Sequence, residues 1–330
     1  MRKQRSGTQD SSSPRSRKKR LAAAASVLPL AIGLASTQLP SGRAVSAPSF
    51  GKFVAACTLP FDAIKQQHPI DESCDLDGVA KPDTPQARQN EAKNNFCAAG
   101  PPVDINFDVL HQLQTLAARR VSFGSDSALP HDRSALRDLP TSAGTIGEGT
   151  LVRMAAYVME ARYSNRGKGE SVNCKRPDNA SNDIHVVLVE RAPVPEKPTP
   201  ADECDSATAE ISPHFRPDVW TPDMLLAKDK LLFSNAGNYL FRFTGQLFFD
   251  ASHVPCRNGT GPSPRRFTIW EIHPVYNMEV CTAPDGKCDA GSNANWESLV
   301  DFAAQGSTET RLRLPEDIFP GEWSGVKRTP

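Results

Sequence analysis

Apolar side chains recur at every second position in five stretches between residues 149 and 281, the mark of strands with one buried face. Leu151 to Tyr163 is the longest, rich in β-branched, aromatic and small residues. Asp183 to Glu190 follows a polar, glycine-containing loop and sets Ile184, Val186 and Leu188 on one side. A proline-rich loop (Pro193, Pro195, Pro198, Pro200) leads to a short third strand, Ser206 to Ser212. The fourth, Tyr239 to Asp250, is interrupted by Gly245, which predicts a bulge or a close backbone approach. The fifth, Arg266 to Val280, carries Pro274 at a bend or an unpaired edge position. Between the third and fourth, Thr221 as N-cap, Pro222 at the first helical position and Asp223 in the first turn predict a helix start. A second helix is predicted over Asp108 to Arg120, with Val109, Leu113, Leu116 and Ala117 on one stripe.

Three strands, a helix and two strands over residues 149–281 resemble the oligonucleotide/oligosaccharide-binding (OB) fold. The expected class is mainly β with α: a five-stranded OB-like barrel in the order β-β-β-α-β-β. The resemblance implies that the first strand pairs with the second and fourth and that the fifth closes onto the first. A helical, Cys-containing front section (48–148) precedes the barrel, with 121–148 reading as loop. An extension (282–330) follows, with a turn at Asp285-Gly286 and a short helix around Trp296 to Ala304. The segments Ala92-Lys93-Asn94-Asn95-Phe96-Cys97-Ala98, Phe241 to Asp250, and Trp270-Glu271-Ile272-His273-Pro274 resemble those of an uncharacterised group of exported bacterial proteins. That likeness extends across most of residues 50–282. It implies a class and no mechanism.

Residues 1–47 read as a signal peptide or signal-anchor: a basic stretch, an Ala/Leu-rich run from Leu21 to Leu39, then Val45-Ser46-Ala47. The expected location is extracytoplasmic, secreted or periplasmic, with membrane attachment only through an uncleaved leader. The whole chain carries 38 basic and 38 acidic residues. Residues 1–47 hold nine Lys/Arg and one acid, so the remainder has 29 against 37, a net charge near −8. Nucleic acid is therefore not the expected partner, because phosphate binding favours a basic surface. All eight cysteines lie beyond the leader and no Cys-x-x-Cys occurs, which favours disulfides over a structural zinc or thioredoxin-like site. The pairing is open.

Two short segments carry the candidate chemistry. Asp183-Ile184-His185 and Glu271-Ile272-His273 each set an acid and an imidazole two residues apart, on one face of a strand. Glu210 with His214 and Asp250 with His253 repeat the pairing at a different spacing. The ligand-binding candidates are Asp183, His185, Asp250, His253, Glu271 and His273, and a divalent metal such as zinc is expected, if anywhere, at His185, His273 and Glu271. Strands two and five are not immediate neighbours in such a barrel, so a shared site must lie across a barrel face or at one mouth. The plain structural alternative has Glu271 fixing the last strand by a hydrogen bond, with Trp270 and Ile272 packed on the other face. Arg265 and Arg266 read as a solvated basic rim, or as a grip on an anion. The aromatics of the fourth strand read as core.

No nucleophile elbow, phosphate-cradling loop or dinucleotide fingerprint is present, so no catalytic residue is identified. The leading expectation is an exported, disulfide-reinforced, OB-like binding protein for a small, saccharide or metal ligand. The rival is a metal-dependent hydrolase using the Asp/Glu–His pairs. A structural or partner-binding envelope protein is the third reading.

Overall fold

A computed structural model describes residues 64, 74–98, 100–164, 167–214, 216–226 and 239–305. The expected signal peptide or signal-anchor (1–47) and the segment after 305 lie outside the described residues. Helix α1 (Pro85–Lys93) leads to strand β1 (Val103–Ile105), helix α2 (Phe107–Ala117) and a small hairpin, β2 (Leu139–Thr141) with β3 (Gly144–Ile146). Five longer strands follow: β4 (Leu151–Tyr163), β5 (Ile184–Val189), β6 (Ala207–Ile211), β7 (Leu240–Phe249) and β8 (Trp270–Cys281). Helix α3 (Pro200–Cys204) precedes β6, helix α4 (Pro222–Leu225) lies between β6 and β7, and β9 (Trp296–Ser298) comes last.

The length of β4 makes the barrel possible. Its first half pairs antiparallel with β7 and its second half with β5, and Tyr157 is opposite both Leu240 and Val189. The circuit β4-β5-β6-β8-β7 then returns to β4, with β6 and β8 parallel and the other contacts antiparallel. The result is the expected five-stranded OB-like barrel, with one correction to its closure. The fifth barrel strand, β8, does not close onto the first; it lies between β6 and β7, and β7 makes the closing contact. Antiparallel neighbours can follow a short turn, whereas the parallel β6–β8 pair needs the long excursion that contains α4 and β7.

Alternation decides which face each side chain takes. Ile184, Val186 and Leu188 of β5, Ala207, Ala209 and Ile211 of β6, and Trp270 and Ile272 of β8 share one continuous apolar core with Phe241, Phe243 and Phe249 of β7. Burial of each large apolar side chain contributes about 1.5–3 kcal/mol, so this core dominates stability. Helix α2 adds Phe107, Val109, Leu110, Leu113 and Ala117 to it, starting from Asn106, whose side chain accepts from the Val109 N–H. The Gln114 side chain, on the same helix, accepts from Ile269 N–H at 2.8 Å and from the Thr268 hydroxyl at 3.1 Å.

Gly245 marks a double register shift between β7 and β8. A Cβ there would stand 2.4 Å from the Pro274 carbonyl oxygen, so no larger residue fits without moving β8. Thr221 caps α4 as its sequence predicts, accepting from the Met224 N–H. Two further details depart from expectation. Residues 121–148 hold the β2–β3 hairpin rather than loop alone, and Trp296–Ser298 is a strand paired to β8, so that the expected short helix starts only after it, at 299. Helix α1 carries no apolar stripe, because it buries Gln89 and Asn90.

Disulfides join Cys74 to Cys174, Cys204 to Cys256 and Cys281 to Cys288, and Cys97 is disulfide-bonded as well. They place the chain in an oxidising compartment. Among the described residues no helix is long and apolar enough to cross a membrane.

Cys74–Cys174 spans 100 residues and ties the segment before α1 to the β4–β5 loop. Replacing both cysteines by serine is expected to lower unfolding free energy by about 2–5 kcal/mol, measured by urea denaturation under oxidising conditions. An unchanged midpoint would show that the tie does not limit stability.

Candidate functional site

The outer face of β5, β6 and β8 is charged where the inner face is apolar. His185 on β5, Glu210 on β6, and Glu271 and His273 on β8 alternate with the core residues just named, so one strand periodicity produces both faces. Asp183, at the entrance to β5, and Asp250, at the exit of β7, extend the row. Water is excluded from most of it because α1 lies across this face.

Lys93, in the last turn of α1, supplies the central cation. Its Nζ stands 2.6 Å from Glu210 Oε2, 3.2 Å from Asp183 Oδ2 and 3.4 Å from Glu170 Oε2. Glu170 comes from the β4–β5 loop, which Asn173 braces by donating to Asp183 Oδ1 at 3.1 Å. His185 Nε2 completes the arrangement at 2.6 Å from Glu210 Oε1 and 3.3 Å from Glu170 Oε1. His273 approaches from the other side, with Nε2 3.4 Å from Asp183 Oδ2 and 3.9 Å from Glu210 Oε2. The two histidines therefore do converge across the intervening strand β6, on either side of Glu210.

A second cluster adjoins it. The buried Arg266 guanidinium pairs with Glu271 Oε1 and with Asp250 Oδ2, the latter at 3.1 Å, and donates to the Thr208 hydroxyl at 3.1 Å. Asp250 also takes His253 Nδ1 at 2.5 Å and the Gln89 amide at 2.9 Å. Gln89 in turn accepts from Arg133, which forks onto Glu148. A cleft of about 810 Å³ opens beyond Arg133 and Glu148, between α1 and residues 131–150.

The charges are tuned by this packing. Burial opposes charge on every member, but Lys93 and His273 outweigh it for Asp183, whose carboxyl is held well below the usual range. Glu210 moves the same way, against burial, under the pull of His185 and Lys93. Burial works against the His185 cation too, yet Glu210 and Glu170 raise its pKa to about 10. Glu271 goes the other way: burial and the negative charge of Glu210 push it up to about 8, against the pull of Arg266.

Sequence pattern thus brings Asp183, His185, Glu271 and His273 into one polar layer, with Asp250 and His253 at its edge. It does not assemble the expected ligand set of His185, His273 and Glu271. Glu271 is turned to Arg266, and the groups with metal-ligand spacing are Glu170, His185 and Glu210, and separately Asp183, Glu210 and His273. Arg266 is no solvated rim, being only 2% exposed, whereas Arg265 does lie near the surface beside Glu203. The Glu210–His214 pairing gives way as well: Glu210 binds His185 and Lys93, and His214 lies against the Phe96 ring. Lys93 and Glu170 were missed because neither shares a strand with a candidate histidine. Comparison with protein-family models, curated proteins and solved structures finds no match.

The pKa directions fix a pH profile of stability. His185 and Glu271 have raised folded-state values, so their contributions are complete below about pH 6.5 and 4.5 and are lost as pH rises through about 10 and 8. Asp183, Glu210 and Asp250 have lowered values, so theirs are complete above about pH 4 and are lost in acid. Urea midpoints are expected to peak near pH 5 and to fall from there towards pH 9. Glu271→Gln should flatten the decline between pH 5 and 8; an unchanged alkaline limb would assign that decline elsewhere. Arg266→Met, which leaves Asp250 and Glu271 buried without their cation, should cost about 3–5 kcal/mol in the same assay.

Proposed function

We propose that this chain is an exported binding protein whose ligand is a small, hydroxyl-rich molecule of saccharide type, held in the cleft between α1 and residues 131–150. The observation that carries this reading is the cleft's lining. Arg88, Arg133, Arg137 and Asn95 supply donors and Glu91, Asp132, Asp138 and Glu148 supply acceptors, Arg88 already pairing with Glu91 and Arg133 with Glu148, so the lining is mixed and carries no basic excess. An anionic ligand calls for a basic excess and an apolar ligand for a greasy wall. Sugar hydroxyls both donate and accept, and a mixed lining satisfies them. The volume, about 810 Å³, is within the range of small-molecule sites.

The position of α1 supports the same choice. OB barrels commonly bind ligands on the face of their second and third strands and the flanking loops. Here β5 and β6 are those strands, and their outer face is already covered by α1 and its lysine. A ligand is therefore taken beside the helix rather than beneath it. Hydrolysis by the Asp/Glu–His pairs would need a substrate path to groups such as Asp183, Glu210 and His273, each at most 3% exposed, which favours binding over turnover. The disulfides, the leader and the likeness to exported bacterial proteins support an extracytoplasmic site of action.

Isothermal titration with a panel of neutral mono- and disaccharides tests the proposal. One class is expected to bind, and Asn95→Ala and Asp132→Ala should each weaken it about fivefold, the worth of one hydrogen bond, with unchanged circular dichroism. If no saccharide binds, or if neither variant alters an observed affinity, the reading fails.

A further inference from the structure

The residue at the centre of the polar layer that lacks hydrogen bonds is His273. It is 3% exposed, and neither ring nitrogen makes one. Buried imidazoles are ordinarily satisfied, and leaving one unpartnered is costly. Asp183 Oδ2 and Glu210 Oε2, towards which Nε2 is aimed, likewise make no hydrogen bond and are held only by ion-pair contacts with Lys93 and His273. One ligand atom from each of Asp183, Glu210 and His273 lies within 4.8 Å of the other two.

Their spacing suits a small divalent cation. Tetrahedral zinc with nitrogen and oxygen ligands at about 2.0–2.2 Å separates its ligand atoms by about 3.3–3.6 Å. The His273 Nε2 distances of 3.4 Å to Asp183 Oδ2 and 3.9 Å to Glu210 Oε2 approach that edge length. One imidazole and two carboxylates form a zinc-type set, too few and too nitrogen-rich for calcium, with a position left for water. The second set of metal-ligand spacing, Glu170, His185 and Glu210, is different in kind. Its imidazole is already committed, at 2.6 Å, to Glu210.

We propose that Asp183, Glu210 and His273 form a zinc-type divalent-cation site that the Lys93 ammonium fills in the metal-free protein. Lys93 Nζ, 2.6 Å from Glu210 Oε2 and 3.2 Å from Asp183 Oδ2, stands where a cation satisfies both carboxylates. Metal entry exchanges one cation for another: the divalent ion takes the two carboxylate oxygens and His273 Nε2, and the ammonium moves towards Glu170 and solvent. Glu170 is the more exposed partner of Lys93, with a side chain 22% accessible, so the exit is on that side. The proposal is independent of the saccharide cleft.

The test uses the full mature chain, stripped with chelator and dialysed against Zn²⁺, with bound metal measured by mass spectrometry and Co²⁺ absorption reporting the geometry. Lys93→Met is expected to bind one Zn²⁺ at least tenfold more tightly than the wild type and to melt at a higher temperature with Zn²⁺ than without. Adding His273→Ala should abolish both effects, and adding His185→Ala should leave them largely intact. If Lys93→Met does not fold metal-free, Zn²⁺ should restore folding. Equal affinity in wild type and Lys93→Met, binding that survives His273→Ala, or a Lys93→Met chain that Zn²⁺ does not restore would each overturn the proposal.

Discussion

One ammonium group holds the architecture together. Lys93 enters a layer containing Glu170, Asp183 and Glu210, three carboxylates at short range whose other close cation is His185, which reaches Glu210 and Glu170 but not Asp183. Desolvating each charge costs several kcal/mol, and only close, well-placed counter-charges offset that cost. The position of α1 is therefore tightly specified: a shift of one helical residue would rotate Lys93 out of the layer. Its neighbours on the helix follow the same logic. Asn90 donates to the Asp77 carbonyl at 2.8 Å and to the Ser171 hydroxyl at 3.0 Å, while Gln89 bridges Asp250 and Arg133.

The layer's excess of acid falls most heavily on Glu271. Lys93, His185 and Arg266 face Glu170, Asp183, Glu210 and Asp250, so a further ionised carboxyl at Glu271 would add repulsion. Burial and the charge of Glu210 accordingly raise the Glu271 pKa, against the pull of Arg266. Asp183, Glu210 and Asp250 move down while Glu271 moves up, although all four are buried. Burial alone would shift all of them upward.

Strand period made the barrel legible. Leu151–Tyr163 was bounded as found, and Ile184, Val186 and Leu188 declared the inner face of β5 directly. The same alternation flagged His185, Glu271 and His273 as sharing an opposite face. What period could not supply was the cover. Helix α1, Pro85–Lys93, buries amide and ammonium groups rather than an apolar stripe, so it has no hydrophobic signature to read. The ring order is not legible for a related reason, since alternation says which side a residue faces and not which strand stands next to it. Arg266 looked like surface because arginine usually is, and only the proximity of Asp250 and Glu271 makes its burial tolerable.

These observations change the meaning of the boundary near residue 148. In composition it separates a polar front section from a β-rich barrel. In packing there is no such division, because the front section contributes to both faces of the same sheet. Helix α2 supplies Leu110 and Leu113 to the apolar core, and α1 supplies Lys93 and Gln89 to the charged layer outside it. A barrel cut free at 148 would expose a row of acids and histidines that had lost the Lys93 ammonium. The two sequence regions consequently form one cooperative unit, with the disulfide from Cys74 to Cys174 fastening the cover to the loop that carries Glu170. Any ligand that draws Lys93 away acts on that fastening, so occupancy of the outer layer and stability of the whole fold are coupled through a single side chain.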